Sequence, residues 1–281
     1  MDTPYLPRDH QSFNLLSGVV AHKWQCDSPS AIVILQHGFG EYAERFVRSY
    51  SELIPNLNGK RFEVWALDLR GHGRSPGERG SVDVELAVQD CLELRQQALT
   101  RKLPVFLFGH SLGGFITAAS TAENSDGIAG VILSSPALPD TMSLPGELAI
   151  GLLARLMPSV QIPKPRSPLE SRCRDTEQVR LAQEDSMLYE GQISLLVTAT
   201  ALRTARAMWA RLDEWDKPIL VIHGTSDVSA DFRQSERLVH QIKAEDKTLH
   251  LVEGGYHELL NDEKAKETLD IIIDWLQKRV E

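Results

Sequence analysis

Apolar residues gather along this chain in short unbroken runs, and most runs are followed by a stretch in which they recur every three or four positions. AIVILQHGFG (31–40) is such a run, ending in glycine and leading into EYAERFVRSYSELI, whose spacing predicts a helix. FEVWALDL (62–69) passes through RGHGRSPGERGS to the helical VDVELAVQDCLELRQQALT, and PVFLFGH (104–110) passes into FITAASTAE. IAGVILSSPAL (128–138), KPILVIHG (217–224) and KTLHLVEG (247–254) are further runs of this kind, and KAKETLDIIIDWLQKRV predicts a closing amphipathic helix. Residues 13–25 predict a hairpin ahead of them all. Strands with no polar side are covered on both faces, so their alternation with helices predicts an α/β fold with a parallel, doubly wound sheet.

The rhythm breaks between Pro139 and about Asp213. That interval holds no comparable strand, only the helical LPGELAIGLLARLM, the Pro- and Arg-rich IPKPRSPLESR and the helical QISLLVTATALRTARAMWARL. It reads as an insertion, 139–213, in a core made of 1–138 and 214–281. Leaving the core at Leu138 and returning at Lys217, it is placed to fold as a lid over the carboxyl edge of the sheet, where open α/β sheets bind ligands. Its run from Leu148 to Ala154 is too short to span a bilayer. Two readings of Leu152 and Leu153 stay open: a peripheral contact with a lipid surface, or a packed face between lid and core.

Composition narrows the class. A chain of 281 residues with 42% hydrophobic content can bury an enzyme-sized core, and a formal charge of -9 excludes the cationic surface that nucleic acid requires. Cys26, Cys91 and Cys173 are odd in number, far apart and without a CxxC pair, which predicts packed, reduced thiols and no zinc or redox centre. The opening MDTPYLPRDHQSF lacks a basic segment followed by an apolar one, so a cytoplasmic protein is the expectation.

The chemistry gathers around FLFGHSLGG (106–114), where a strand-like run meets a helix-like one at a serine fenced by glycines. Small residues two before and two after Ser111 are what a strained strand-to-helix turn needs, because the neighbours must lack bulk where the hydroxyl stands clear of the sheet. A plain turn with Ser111 as a helix cap is the simpler alternative, but it needs only one glycine. A nucleophilic serine in this setting calls for an acid and then a histidine further along the chain, each just past a late strand. Asp227 follows 217–224 and His257 follows 247–254, in that order. Asp231 is the nearest rival acid, whereas His110, with its side chain expected to point away from the nucleophile, His223 and His250 read as structural. The two backbone N–H groups that would hold an oxyanion fall to Leu112, directly after the serine, and to Phe39 in the HGFG loop.

With HGFGEYAERF, DLRGHGRSPGERG, GHSLGG, LSSPAL and EGGYHE in place, the chain resembles the α/β-hydrolase superfamily and, within it, the monoacylglycerol lipase and lysophospholipase-like group over roughly residues 30–278. The resemblance implies a serine esterase acting on a single-acyl ester through an acyl-enzyme, a helical cap over an acyl tunnel, and no metal or organic cofactor. It also implies glycerol-contacting roles for Glu41 and Arg45. A polar residue that some members carry three positions after the histidine is Leu260 here, a departure that bears on the head group. Lysophospholipids, aryl esters and an N-terminal peptide bond stay open as substrates, the last of these needing acidic cap residues such as Glu147, Glu184 or Asp185 to hold an amine. A ligand receptor without activity has no need of the full set of residues.

Overall fold

The computed structural model describes residues 10–163 and 167–280. Lys164, Pro165 and Arg166 of the IPKPRSPLESR stretch lie outside the described residues, as do 1–9, on which much of the reading of the N-terminus falls. Eight strands form one sheet: β1 (His10–Asn14), β2 (Val20–Trp24), β3 (Ala31–Gln36), β4 (Phe62–Leu67), β5 (Val105–His110), β6 (Ile128–Ser134), β7 (Ile219–Gly224) and β8 (Lys247–Val252). Their order is β1-β2-β4-β3-β5-β6-β7-β8, with β1, β2 and β4 paired antiparallel and every other neighbour parallel. Alternate residues of the central strands enter opposite apolar layers. Ile32, Ile34 and Leu107 pack on one side with α2 (Val84–Leu99) and α3 (Leu112–Glu123), and Val33, Leu35 and Phe108 on the other with α1 (Leu53–Gly59) and α8 (Ala265–Gln277). Two covered faces explain why the strands read as unbroken apolar runs.

The chain passes from β3 outward to β4 and then jumps back across β3 to β5. The winding therefore reverses between β3 and β5, which makes the crevice beyond their carboxyl ends the natural place for a ligand. HGFG leaves β3 there, and Ser111 leaves β5 there.

One expected helix is broken. After β3 the chain makes two 3₁₀ turns, Ala43–Val47 and Tyr50–Glu52, and α1 begins only at Leu53. Tyr50, Ser51 and Glu52 all have left-handed backbones, with φ of 54°, 53° and 49°. Non-glycine residues hold such angles only where the surroundings over-determine them. Here the Tyr50 N–H donates to Asn261 Oδ1, and Ser51 Oγ donates to Leu260 O at 2.7 Å, so a distant turn overrides the local helical spacing.

The inserted stretch contains α4 (Leu144–Leu156), α5 (Thr176–Glu184) and α6 (Leu195–Trp209), ahead of α7 (Phe232–Gln241) in the sheet's last crossover. Aspartate and serine caps start α5 and α6, with Asp175 accepting from Glu177 N–H and Ser194 from Val197 N–H. α6 is tied to α2: Thr200 Oγ1 accepts the Val84 N–H at 3.0 Å, and Arg203 pairs with Glu85 at 2.6 Å. α4 is tied to α6 by Glu147, which pairs with Arg206 at 2.7 Å, but Ala154 is its one buried residue. Leu144, Leu148, Leu152 and Leu156, four apart and hence on one face, are 58%, 72%, 61% and 69% exposed. Leu153 is exposed as well, so the run does not pack between lid and core.

Candidate active site

Ser111 joins β5 to α3 with φ 54° and ψ −121°, a conformation that forces its neighbours to be small. A Cβ on Gly109 would lie 2.5 Å from Gly113 O, and one on Gly113 would lie 2.2 Å from Gln36 O. Both glycines are therefore steric requirements of the turn.

Asp227 follows β7 and His257 follows β8, and the loops that carry them are laced together. Ser226 N–H donates to Gly255 O at 3.0 Å, and Gly224 has no room for a Cβ, which would meet Gly255 O at 2.2 Å. The Asp227 carboxylate is fully buried. Its Oδ1 accepts the N–H groups of Ser229 (2.7 Å) and Ala230 (3.0 Å), while Oδ2 lies 2.6 Å from His257 Nδ1. A carboxylate only accepts, so Nδ1 carries the proton and Nε2 of neutral His257 is the acceptor. Ser111 Oγ stands 2.9 Å from that Nε2 and donates to it. Burial pushes the Asp227 carboxyl up, but the charge of His257 and the hydrogen bonds of His223 and His257 outweigh it and hold the group well below the usual carboxylate range. For His257 burial pulls down, and the charge and hydrogen bond of Asp227 lift the imidazole above its ordinary value. Asp231 is elsewhere: it caps α7 by accepting the Arg233 N–H.

The HGFG loop is braced from beneath by two imidazoles. His37 accepts Leu69 N–H on Nε2 (3.0 Å) and donates from Nδ1 to Gly38 O (2.8 Å), and His72 Nε2 accepts the Gly40 N–H at 2.9 Å. Gly38 N–H is claimed by Glu41 Oε2 at 2.9 Å. Phe39 lies between these two amides, and Leu112 heads α3; both line the cavity above Ser111.

Glu41 and Arg45 form a buried pair, and no helix presents them to solvent. Arg45 Nη1 and the Tyr50 hydroxyl both donate to Glu41 Oε1, and Arg45 Nη2 reaches Glu258 Oε2 at 3.2 Å. Burial raises both carboxyls, but Arg45 leads the groups that bring each below its usual range. Glu41 and Glu258 line the cavity, whereas Arg45 stands behind them, and Leu260 is buried.

The cavity measures about 510 Å³. Ser111, His257, Glu41, Glu258 and Arg172 supply polar lining, while Phe115, Ile162, Ile193, Val197, Leu202 and Val228 supply an apolar wall. None of the acids suggested for an amine lines it: Glu147 pairs with Arg206, Glu184 with Arg180, and Asp185 accepts from the Tyr42 hydroxyl.

Sequence reasoning missed three members of this site and misplaced a fourth. Glu258, Tyr50 and Asn261 meet only through the 258–261 turn, and no local pattern announces them. His223 lies in an apolar strand run, yet its Nε2 is 3.1 Å from Asp227 Oδ2. His110 was expected to face away from the nucleophile, but it lines the cavity with its ring centroid 5.0 Å from that of His257. Its Nδ1–H donates to Ser134 O at 3.2 Å, which turns the ring that way, and burial pushes the imidazole down to about 4.

A family model described as serine aminopeptidase, S33, matches residues 27–264. Over 278 residues the chain is 31% identical to a monoacylglycerol lipase of Mycolicibacterium smegmatis, covering 96% of this chain and 97% of that one. It is 31% identical over 240 residues to a monoglyceride lipase of Homo sapiens, covering 83% and 77%. Among solved structures, a monoacylglycerol lipase of Paleococcus ferrophilus superposes with a TM-score of 0.81 at 29% identity, over 93% of this chain and 99% of that chain.

Proposed function

Since the chain belongs to the serine aminopeptidase, S33, family of α/β hydrolases and is a carboxylic ester hydrolase, we propose that it cleaves single-acyl glycerol esters through an acyl-enzyme on Ser111. The observation that carries this reading is the continuous chain from Ser111 Oγ through His257 to the buried Asp227, opening on a cavity with carboxylates and an apolar wall. Ser111 Oγ attacks the ester carbonyl while His257 Nε2 takes its proton, and Asp227 holds the imidazole in the accepting tautomer and stabilises the imidazolium. The backbone N–H groups of Phe39 and Leu112 receive the carbonyl oxygen as it becomes an oxyanion. His257 returns the proton to the departing alcohol, then takes one from the water that attacks the acyl-enzyme, and Ser111 is released with a carboxylic acid. Glu41, locked by Gly38, Arg45 and Tyr50, presents an acceptor to the hydroxyls of a glycerol leaving group, and the apolar wall takes the acyl chain.

Residues 139–213 serve as a lid on a core of 1–138 and 214–281, a reading supported by the contribution of Ile162, Ile193 and Leu202 to the cavity. The four exposed leucines of α4 rest against the lipid surface from which the substrate comes; among the described residues no helix is long and apolar enough to cross a membrane. The test is a panel of p-nitrophenyl esters of graded length beside monoacylglycerol and lysophosphatidylcholine, with fluorophosphonate labelling. Ser111→Ala should lose labelling and hydrolysis by about 10⁴-fold or more. A variant that keeps either excludes the serine mechanism, and a wild-type enzyme preferring lysophosphatidylcholine excludes the glycerol ester.

A further inference from the structure

Asp227 has a histidine on each side. Oδ2 faces His257 Nδ1, and the same oxygen faces His223 Nε2 at 3.1 Å. The second nitrogen also lies 3.3 Å from Ala230 O. Both neighbours of Nε2 are acceptors, so His223 must carry its proton there. Its other nitrogen, Nδ1, lies 2.7 Å from the hydroxyl of Ser235 on α7, and in neutral His223 that hydroxyl donates to it. His223 and Ser235 are fully buried. The result is a mirrored chain in which Ser235 and His223 address the acid from within as Ser111 and His257 address it from the cavity. The inner half has no access to substrate, because neither His223 nor Ser235 lines the cavity.

We propose that His223 is a positioning residue for hydrolysis, which shares Asp227 Oδ2 with His257 and so limits how strongly the acid holds the proton on the base. The inference rests on the roles given above to Ser111, His257 and Asp227. Its logic is competition at one oxygen. Each donor to Oδ2 draws on the same negative charge, so removing His223 leaves more of it for His257 and favours the imidazolium. The carboxylate does not swing away when His223 is lost, since Ser229 and Ala230 hold Oδ1. The other groups that face the base are Glu41 and Glu258 from the head-group side and His110 from β5, and none of them touches His223.

The experiment is the pH profile of kcat/KM for p-nitrophenyl butyrate, whose acid limb reports the base of the free enzyme. In His223→Leu that limb should move up by about half a pH unit or more. His223→Gln, whose side-chain amide donates from the place of Nε2, should return it to the wild-type position. A merely structural role lowers the rate or the melting temperature and leaves the limb alone. An unmoved or lowered limb in a folded His223→Leu protein overturns the proposal, as does a limb that His223→Gln fails to restore. Imidazole ¹⁵N resonances of the wild-type protein give a check that needs no variant: neutral His223 should carry its proton on Nε2 and not on Nδ1, and the opposite tautomer overturns the proposal too. Ser111→Ala is run alongside. If it stays active, the serine mechanism fails and takes this proposal with it; if it is dead and the limb does not move, only the role of His223 fails.

Discussion

Replacing Asp227 by asparagine changes one atom, and the structure says which one. Oδ1 accepts two backbone N–H groups at 2.7 and 3.0 Å, which can only donate, whereas the two partners of Oδ2, His257 and His223, can exchange tautomer; the amide therefore keeps its oxygen on the backbone side and turns its NH₂ toward the two imidazoles. His257 Nδ1 must then accept, its proton moves to Nε2, and that nitrogen points a hydrogen at Ser111 Oγ instead of taking one. Flipping the amide back would break both backbone bonds, at about 0.5–1.5 kcal/mol each, or roughly 1–3 kcal/mol together. The flipped minority would still lack the charge behind the 2.6 Å bond to His257, worth about 1.5–3 kcal/mol more. A total of roughly 2.5–6 kcal/mol corresponds to a loss between about 10² and about 10⁴-fold. The assay is kcat/KM on p-nitrophenyl butyrate, with circular dichroism to show that Asp227→Asn is folded. Asp231→Asn, which touches only a helix cap and an exposed ion pair with Arg233, should stay within about two-fold of wild type. A folded Asp227→Asn enzyme within ten-fold of wild type would refute the tautomer argument, and so would a larger loss in Asp231→Asn.

Glu41→Gln removes the charge between Gly38, Arg45 and Tyr50; it should lower kcat/KM for monoacylglycerol by roughly ten-fold or more, the equivalent of one hydrogen bond to a charged group, and lower p-nitrophenyl butyrate hydrolysis less, an equal fall on both arguing that Glu41 only shapes the HGFG loop. Because His257 is lifted above its ordinary 6.5, the acid limb of kcat/KM should lie above that value. The same shift contributes stability that is fully present below pH 6.5 and lost as pH rises through the folded pKa, so a limb below 6.5 contradicts both statements. Leu148, Leu152 and Leu156 changed together to serine should weaken sedimentation with phospholipid vesicles while p-nitrophenyl butyrate turnover stays within two-fold; unchanged sedimentation removes α4 from any membrane contact.

Local rules made much of this fold readable, because strands covered on both faces leave an apolar signature that helices between them do not blur. The serine turn was readable for a steric reason: Gly109 and Gly113 answer to contacts within a few residues and to the exit of β3. Order along the chain brought Ser111, Asp227 and His257 forward as a set, and in the structure they meet by hydrogen bonds. What stayed hidden depends on distant partners. Tyr50, Ser51 and Glu52 adopt left-handed backbones with no glycine to advertise them, held by a turn some 211 residues away. Glu41 and Arg45 carry no local sign of their burial, because Glu258, which Arg45 reaches, is 213 residues away. His223 is silent for another reason. In a strand buried on both faces a histidine has no polar side by which to declare where its ring points.

The tie between α6 and α2 has a mechanical meaning for whatever enters the cavity. Val197, Thr198, Ala201 and Leu202 belong to the early turns of a helix that Thr200 and Arg203 bolt to α2. That wall cannot swing without unpacking its own later turns, where Ala205 and Met208 are buried in the core layer. The stretch before α6 is joined to the chain after α4, since the Ile162 N–H donates to Ile193 O and the Leu195 N–H to Val160 O, both at 2.8 Å, and α4 is itself held to α6 by the Glu147–Arg206 pair at 2.7 Å. The α6 wall is thus a fixed edge of the cavity, and α4 is attached to it. Whatever fills the cavity beside Val197 and Leu202 meets an edge whose position is set from outside it, by α2.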